Sequence, residues 1–544
     1  MFGGGGAAGE VTAETPGVGR AYTLEEGLIR DGTLRFIDHG AGRDVTLDNL
    51  QVRLAVPDFS GPATATVSAL VEGQSVNLEA KAGVFSAFTE GRVVPMAVKA
   101  GIGGSTVVFD GRAGWSPVAA EGTLTADLRD LAAVAALAGA AAPDLPQGLG
   151  AEALSVDGQL TLDGSGAAYL RGATIRADGN VITGDLDLKP GKDRPKLTAQ
   201  LTAQALSMAG LSGGQGGGAK GGMEASGWPT ARIDVSGLGV LDAELALMAG
   251  SVDLGLVKFG ETRVLMTLDR ARAVFDIRQL AAYGGAVTGE FVVNGRGGLS
   301  VGGKLALAGL QMQPLLVDVS GWDRLIAQGN LTLNFLGVGN SVDEIMRGLK
   351  GDGAISLGKG ELKGLDIGGM LRTLDAGYVG EGQKTIFDGV AASFTIAGGV
   401  LSNSDLKLVA PYVTATGAGE VGLGTRTLNY RLRPTALAGE DGSGGVMVPL
   451  LITGPWAKPS FKLDLESIAR EKMEAEAKAA EERLKAEAAA AEAKAKAELE
   501  AKLKDELGVE AAPGESLEDA ARRRAQEALD AEARRLLEGI LGGN

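Results

Sequence analysis

Short runs in which apolar and polar residues alternate recur through the first 465 residues, and they restrict the fold more than any other feature. Residues 45–56, VTLDNLQVRLAV, put Leu50, Val52, Leu54 and Val56 on one face. The same period of two appears in 75–83, 122–128, 158–164, 184–190 and 196–203, and again in 330–339, 405–411 and 428–434. Each run is short and bounded by Gly, Asp, Asn or Pro, which is the pattern of strands and turns. Connections this short favour antiparallel neighbours.

Composition narrows what the strands can build. Of 544 residues 86 are glycine, and aromatic residues make up only 4%. A thick core leans on aromatics, which bury roughly 150–250 Å² each, so thin, repetitive layers are expected instead. The formal net charge of -16 opposes binding to nucleic acid, whose phosphates need clustered cations. With no cysteine, disulfides and thiolate metal sites are excluded.

Residues suited to catalysis are scarce. The one histidine, His39, sits at an expected hairpin turn beside Asp38 and Asp44 and reads as a solvated loop residue. Gly101–Gly104 and Gly377–Gly382 do not continue as phosphate-binding loops. Adjacent carboxylates such as Glu25 and Glu26 would point apart on a strand. An enzyme is therefore not expected, nor a metal or cofactor. The longest weakly polar run, Leu131–Ala142, falls far short of the ~20 residues of a spanning helix.

Weak internal repetition is present. In VITGDLDL (181–188), VTGEFVV (287–293) and ATGAGEVGL (415–423) a strand is expected to pass through a glycine turn into a second strand. A strand followed by a short helix is read in 122–137, 303–319 and 353–374, with Pro314 in a first turn and Asp366 as an N-cap. Ser341–Glu344 forms a capping box for a further helix ending near Gly351. The stretch 213–222, GGQGGGAKGG, has the composition of a flexible linker.

Beyond Leu465 the chain is almost all Ala, Glu, Lys and Arg. Pairs such as Glu474–Lys478 and Glu481–Lys485 support one helix over 466–507, and Ser516–Asp519 opens a second reaching Leu541. Solvated helices and a coiled-coil or partner-docking role both fit this composition. The expected domains are a flexible N-terminus (1–19), a β region (20–212), a linker (213–226), a second β region (227–465) and a helical tail (466–544).

A sheet with one aliphatic face must cover it. Its own helices, or a second sheet, could do so. The expected helices are few and short, so a ligand with long apolar chains is the sharper alternative.

Residues 329–374 resemble the AsmA family of bacterial envelope proteins. The likeness lies in Gly348-Leu349-Lys350-Gly351 and in Gly360 to Ile367 (GELKGLDI). It continues through Thr385-Ile386-Phe387, 393–411, Gly417 to Leu423 and LNYRL (428–432), and closes with VPLLITGPWAKPSFKLD (448–464). Residues 27–62 are similar to the family's N-terminal segment.

The resemblance implies a mainly β fold: an elongated, curved antiparallel sheet forming a β-groove, with a few short helices, followed here by a long C-terminal α-helical tail. It implies a non-enzymatic protein of the Gram-negative periplasm, associated with the inner membrane, that supports phospholipid transport and outer-membrane biogenesis. The implied partners are phospholipid acyl chains, the inner membrane through an anchor this chain does not show, and an envelope protein for the C-terminal helices. A structural or assembly factor acting on outer-membrane proteins through free strand edges is the alternative. Groove candidates from the alternation are Phe394, Ile396, Leu406, Leu408, Leu428, Tyr430 and Leu432. Roughly 30 strands about 4.8 Å apart would extend at most ~145 Å.

Overall fold

A computed structural model describes residues 23–38, 43–71, 73–137, 145, 147–208, 227–255, 257–373, 377–411, 413–436, 447–507 and 512–541. His39, the expected linker 213–226 and the N-terminus 1–19 lie outside them. The chain divides into two compact units, Met1–Leu463 and Asp464–Asn544.

The alternating runs become strands, and among the described residues 25 of them form one sheet. The end strands, Leu24–Asp38 and Ser460–Leu463, each pair on one side only, so the sheet is open. Val379–Phe387 and Gly389–Ala397 pair end to end with one side of Lys350–Leu365, so at about 4.8 Å per step the sheet extends about 110 Å, short of the expected limit because the strands are longer and fewer than foreseen. Pairing is antiparallel throughout with one exception in this sheet. Strand Lys196–Ala203 runs parallel to Asp242–Ala249, with Leu197 opposite Ala243 and Leu201 opposite Leu247. This seam joins the strands on either side of the expected linker.

The three glycine-centred repeats do not contain turns. Each lies inside a single strand: Asn180–Lys189, Gly285–Asn294 and Val413–Gly422. Gly184, Gly289 and Gly419 take φ of 157°, 122° and 156° there. At Gly289 the strand comes so close to its neighbour that a Cβ would stand 2.1 Å from the Lys304 carbonyl oxygen. Only glycine permits that approach. The pattern marks kinks that bend the strand without ending it.

Seven helices complete the described structure: α1 (Phe85–Thr89), α2 (Leu131–Leu137), α3 (Met312–Ser320), α4 (Val342–Gly348), α5 (Ile367–Thr373), α6 (Leu465–Leu507) and α7 (Leu517–Leu541). The expected caps are present. Ser341 Oγ accepts from Glu344 N–H at 3.2 Å, and Asp366 Oδ1 accepts from Gly369 N–H at 2.8 Å. The Glu344 carboxylate reaches Asn340 N–H, one residue before the cap, and α4 ends at Gly348.

A meander returns to the same rim at every second turn. Thus α2, α3 and α5 line one rim, together with a small sheet of Leu206–Ser207, Val252–Asp253 and Lys258–Phe259. The opposite rim carries α1, α4 and a strap, Trp228–Val240, that ends in a 3-10 turn at Ser236–Gly239. The strap is tied across distant strands. Trp228 Nε1 donates to Leu423 O (2.7 Å) under the Arg426 guanidinium, Asp343 N–H to Pro229 O (3.0 Å), and Ile233 N–H to Asn340 O (2.8 Å). Leu238 then packs with Ala243, Leu268 and Ala273.

In the second unit, α6 carries the Glu481–Lys485 ion pair at 2.7 Å, while Glu474 and Lys478 do not pair. Ser516 caps α7, accepting from Asp519 N–H at 3.2 Å. No helix among the described residues is long and apolar enough to cross a membrane.

Candidate functional site

Strand register turns local alternation into one apolar face, crossed by files of directly paired side chains. On one face Val52 stands opposite Ile29 and Val67, then Val67 opposite Leu78, and Leu78 opposite Ala100. Further along, Ala199 faces Leu245 across the parallel seam, Leu245 faces Met266, and Met266 faces Phe275. The file continues through Phe291, Gly303, Phe335, Gly351 and Ile396, then Leu401, Val421 and Leu428. A slip of one residue at any pair would have turned the apolar set to the other face.

The residues of this face are mostly half-buried, and those between them are exposed. In Leu325–Val338, Leu331, Leu333 and Phe335 are half-buried while Thr332, Asn334 and Leu336 are exposed. Fully buried clusters sit toward the rims, as at Ala82, Ala87, Val94 and Met96 beside α1. A flat sheet would expose both faces equally. The difference requires the sheet to curl toward its apolar side, so that neighbouring strands shelter each other's side chains. Glycine makes the curl possible. Gly303 lies between Phe291 and Phe335, Gly353 between Leu333 and Phe394, and Gly417 between Leu406 and Leu432.

The trough deepens at its C-terminal end into a cavity of about 440 Å³. Leu316 of α3, Trp322 and Leu362–Leu365 form one wall; Val421, Leu428, Tyr430, Ile452, Trp456 and Phe461 are among the residues of the other. The size lies within the ~300–1,000 Å³ common for small-ligand sites. Arg324 and Lys363 are its charged lining residues.

All seven groove candidates lie on the apolar face. Leu428 and Tyr430 line the cavity directly, and Phe394 and Leu406 are half-buried along the trough. Ile396, Leu408 and Leu432 are buried, so they serve packing more than open floor. Tyr430 is not purely apolar: its hydroxyl donates to Asn403 Oδ1, and Asn403 Nδ2 donates to Asp405 Oδ1 at 2.8 Å. Burial, aided by the Asp405 charge, pushes the Tyr430 hydroxyl up to about 12, so it stays protonated. The walls from α3 and Leu362–Leu365 were missed by alternation, because they come from rim segments without that period. Two of the chain's four tryptophans, Trp322 and Trp456, were the available signal.

The AsmA family model matches residues 112–406, more than half of the chain. The chain belongs to the AsmA family. Membership associates it, in general terms, with the bacterial envelope, lipid transport and outer-membrane biogenesis. The matched span of this AsmA protein contains the parallel seam, the strap and the glycine kinks at Gly184 and Gly289. Comparison with curated proteins and with solved structures gives no match. Among the described residues of this AsmA protein, no three His, Asp or Glu side chains gather where a metal ion could be held.

Proposed function

We propose that this protein binds lipid acyl chains along the apolar face of its sheet and supports phospholipid transport, without catalysis, from the periplasmic side of the inner membrane. One observation carries the reading: paired apolar residues hold one face of the sheet from Ile29 to Leu428, and the one other sheet among the described residues is three strands of two residues each, too small to cover it. Each methylene moved from water to such a face contributes about 0.8 kcal/mol. A chain of ~16 carbons gains on the order of 10 kcal/mol, close to what it gives up on leaving a bilayer. Transfer is then nearly neutral, and concentration differences can set its direction. The exposed Met473 and Leu484 of α6 and Leu529 and Leu536 of α7 support an envelope protein as the partner of the helical unit.

The test is site-specific photo-crosslinking in cells from Phe394, Leu333 and Val67, which sample the apolar face along its length. Crosslinks to phospholipid from all three are expected. Labelling of none, with the same probe on exposed Thr332 as the background, removes the reading. A second reading, assembly of outer-membrane proteins by strand addition, draws on the 15-residue edge strand Leu24–Asp38, whose Leu28 and Leu34 are exposed. It predicts crosslinks from Leu34 to barrel proteins.

A further inference from the structure

The C-terminal cavity has two cations in its lining, Arg324 and Lys363. Arg324 precedes strand Leu325–Val338, and Lys363 lies near the end of Lys350–Leu365. Leu325 is paired with Leu362, and Lys363 N–H donates to Arg324 O at 2.8 Å. Directly paired residues of an antiparallel ladder project to the same side, so the two cations are neighbours. Lys384 stands opposite Lys363 on the next strand but is held by Glu361 at 3.1 Å. Neither Arg324 nor Lys363 has an ion-pair partner among the described residues.

The Arg324 position is built by the backbone. Gly364 has φ +79°, and a Cβ there would stand 2.8 Å from Arg324 Nη1. A left-handed residue without a side chain lets the guanidinium lie against the turn. Beside it, Leu316, Trp322, Trp456 and Phe461 offer an apolar interior. Both residues are solvent-exposed where they line the cavity, and neither has an ion-pair partner among the described residues, in a chain whose net charge is -16.

We infer that this cavity selects phospholipids with a net negative head group: the acyl chain occupies the apolar interior and the phosphodiester is held by Arg324 and Lys363. Arginine matches a phosphate with two parallel N–H donors, and lysine adds a compact second charge. Zwitterionic phospholipids carry the same phosphate but also a cation that these two residues repel. The inference rests on the lipid-binding reading above and adds the choice of lipid to it.

The experiment uses the full chain with Trp115→Phe and Trp228→Phe, leaving Trp322 and Trp456 as reporters at the cavity. Vesicles hold a fixed ratio of phosphatidylglycerol to phosphatidylcholine, and dibrominated acyl chains are carried by one lipid or the other. Surface charge is then identical and only the quencher's head group differs. Quenching about tenfold more effective from brominated phosphatidylglycerol is expected. In Arg324→Gln/Lys363→Gln that preference should fall to near parity while quenching by brominated phosphatidylcholine is retained, with circular dichroism showing the sheet intact. Equal quenching from both lipids in the parent chain, or a preference that survives the double substitution, overturns the inference and leaves lipid binding standing. Stronger quenching by dibromostearic acid than by either phospholipid overturns the assigned head group. Absence of quenching by all three overturns both the inference and the reading beneath it.

Discussion

The ring of Phe291 lies 6.2 Å from that of Phe335, although a whole strand separates them, because the residue between them is Gly303. A Cβ at Gly303 would meet the Phe335 ring at 2.9 Å and the Glu290 carbonyl oxygen at 2.7 Å. Gly303→Val should therefore separate the rings and raise the floor of the trough. Overpacking of this kind costs about 1–3 kcal/mol. The expected result is a lower unfolding temperature with weaker lipid crosslinking at Leu333, two residues from Phe335. Unchanged values for both would show that the glycine is not what brings the rings together.

The kinks at Gly184, Gly289 and Gly419 make a sharper demand. Gly289→Ala combines a φ of 122° with a Cβ 2.1 Å from a backbone oxygen that cannot move without breaking the ladder. Strain of this type costs about 1–3 kcal/mol, and the clash adds to it. Gly237→Ala, where a Cβ meets nothing within 4 Å, is the control and should change little. Denaturant midpoints of the two variants decide the matter.

These glycines also show where sequence reading stops. Alternation is local, so it located the strands, the antiparallel meander and the face on which Phe394, Leu406, Leu428 and Tyr430 lie. The caps at Ser341 and Asp366 were legible for the same reason, since a cap and its helix are adjacent in sequence. Gly289 was mistaken for a turn because a glycine between two apolar runs looks the same whether the chain reverses or only bends. The parallel pairing of Leu197 with Ala243 was invisible, because neither strand carries a mark of its partner's direction. The Trp322 wall was missed because Trp322 and Trp456, far apart in sequence, meet only through the curl of the sheet.

At the rim that carries α2, Asp178 organises a loop through its carboxylate. Oδ2 accepts from the N–H groups of Gly148, Gly150 and Ala151, and Oδ1 from Glu152 and Ala153, at 2.8–2.9 Å. Burial pushes the carboxyl up, but the backbone donors together outweigh it and bring it from 3.8 down to about 2. A lowered value means the folded state favours the charged form. Its stabilisation is complete well above pH 3.8 and is lost as pH falls through that value toward 2. Asp178→Asn keeps the φ of 47°, which asparagine tolerates, and removes the charge. The variant should lose about 2 kcal/mol near neutral pH. Its deficit against the parent should shrink as pH drops from 4 to 2, followed by urea unfolding. A deficit that stays constant with pH would mean the carboxylate charge is not what holds the loop.

Trough and packed interior should respond differently to loss of apolar surface, and this contrast bears directly on what the face is for. Leu333 is half-buried, standing opposite Leu305 and Gly353 on the open side of the sheet. Phe387 is 1% exposed, at the rim with Leu365 and Ile367, which are also buried. Phe387→Ala removes fully packed atoms and should cost about 3–5 kcal/mol. Leu333→Asn leaves its polar group reachable by water, so it should cost under about 1.5 kcal/mol. If the face exists to hold acyl chains, the ranking reverses for lipid: Leu333→Asn should lose co-purifying phospholipid while remaining folded. Phe387→Ala should retain it in whatever fraction stays native. Unfolding curves with lipid quantified on the folded fraction of each variant measure both effects. Full lipid occupancy in Leu333→Asn would show that the apolar face does not carry the binding.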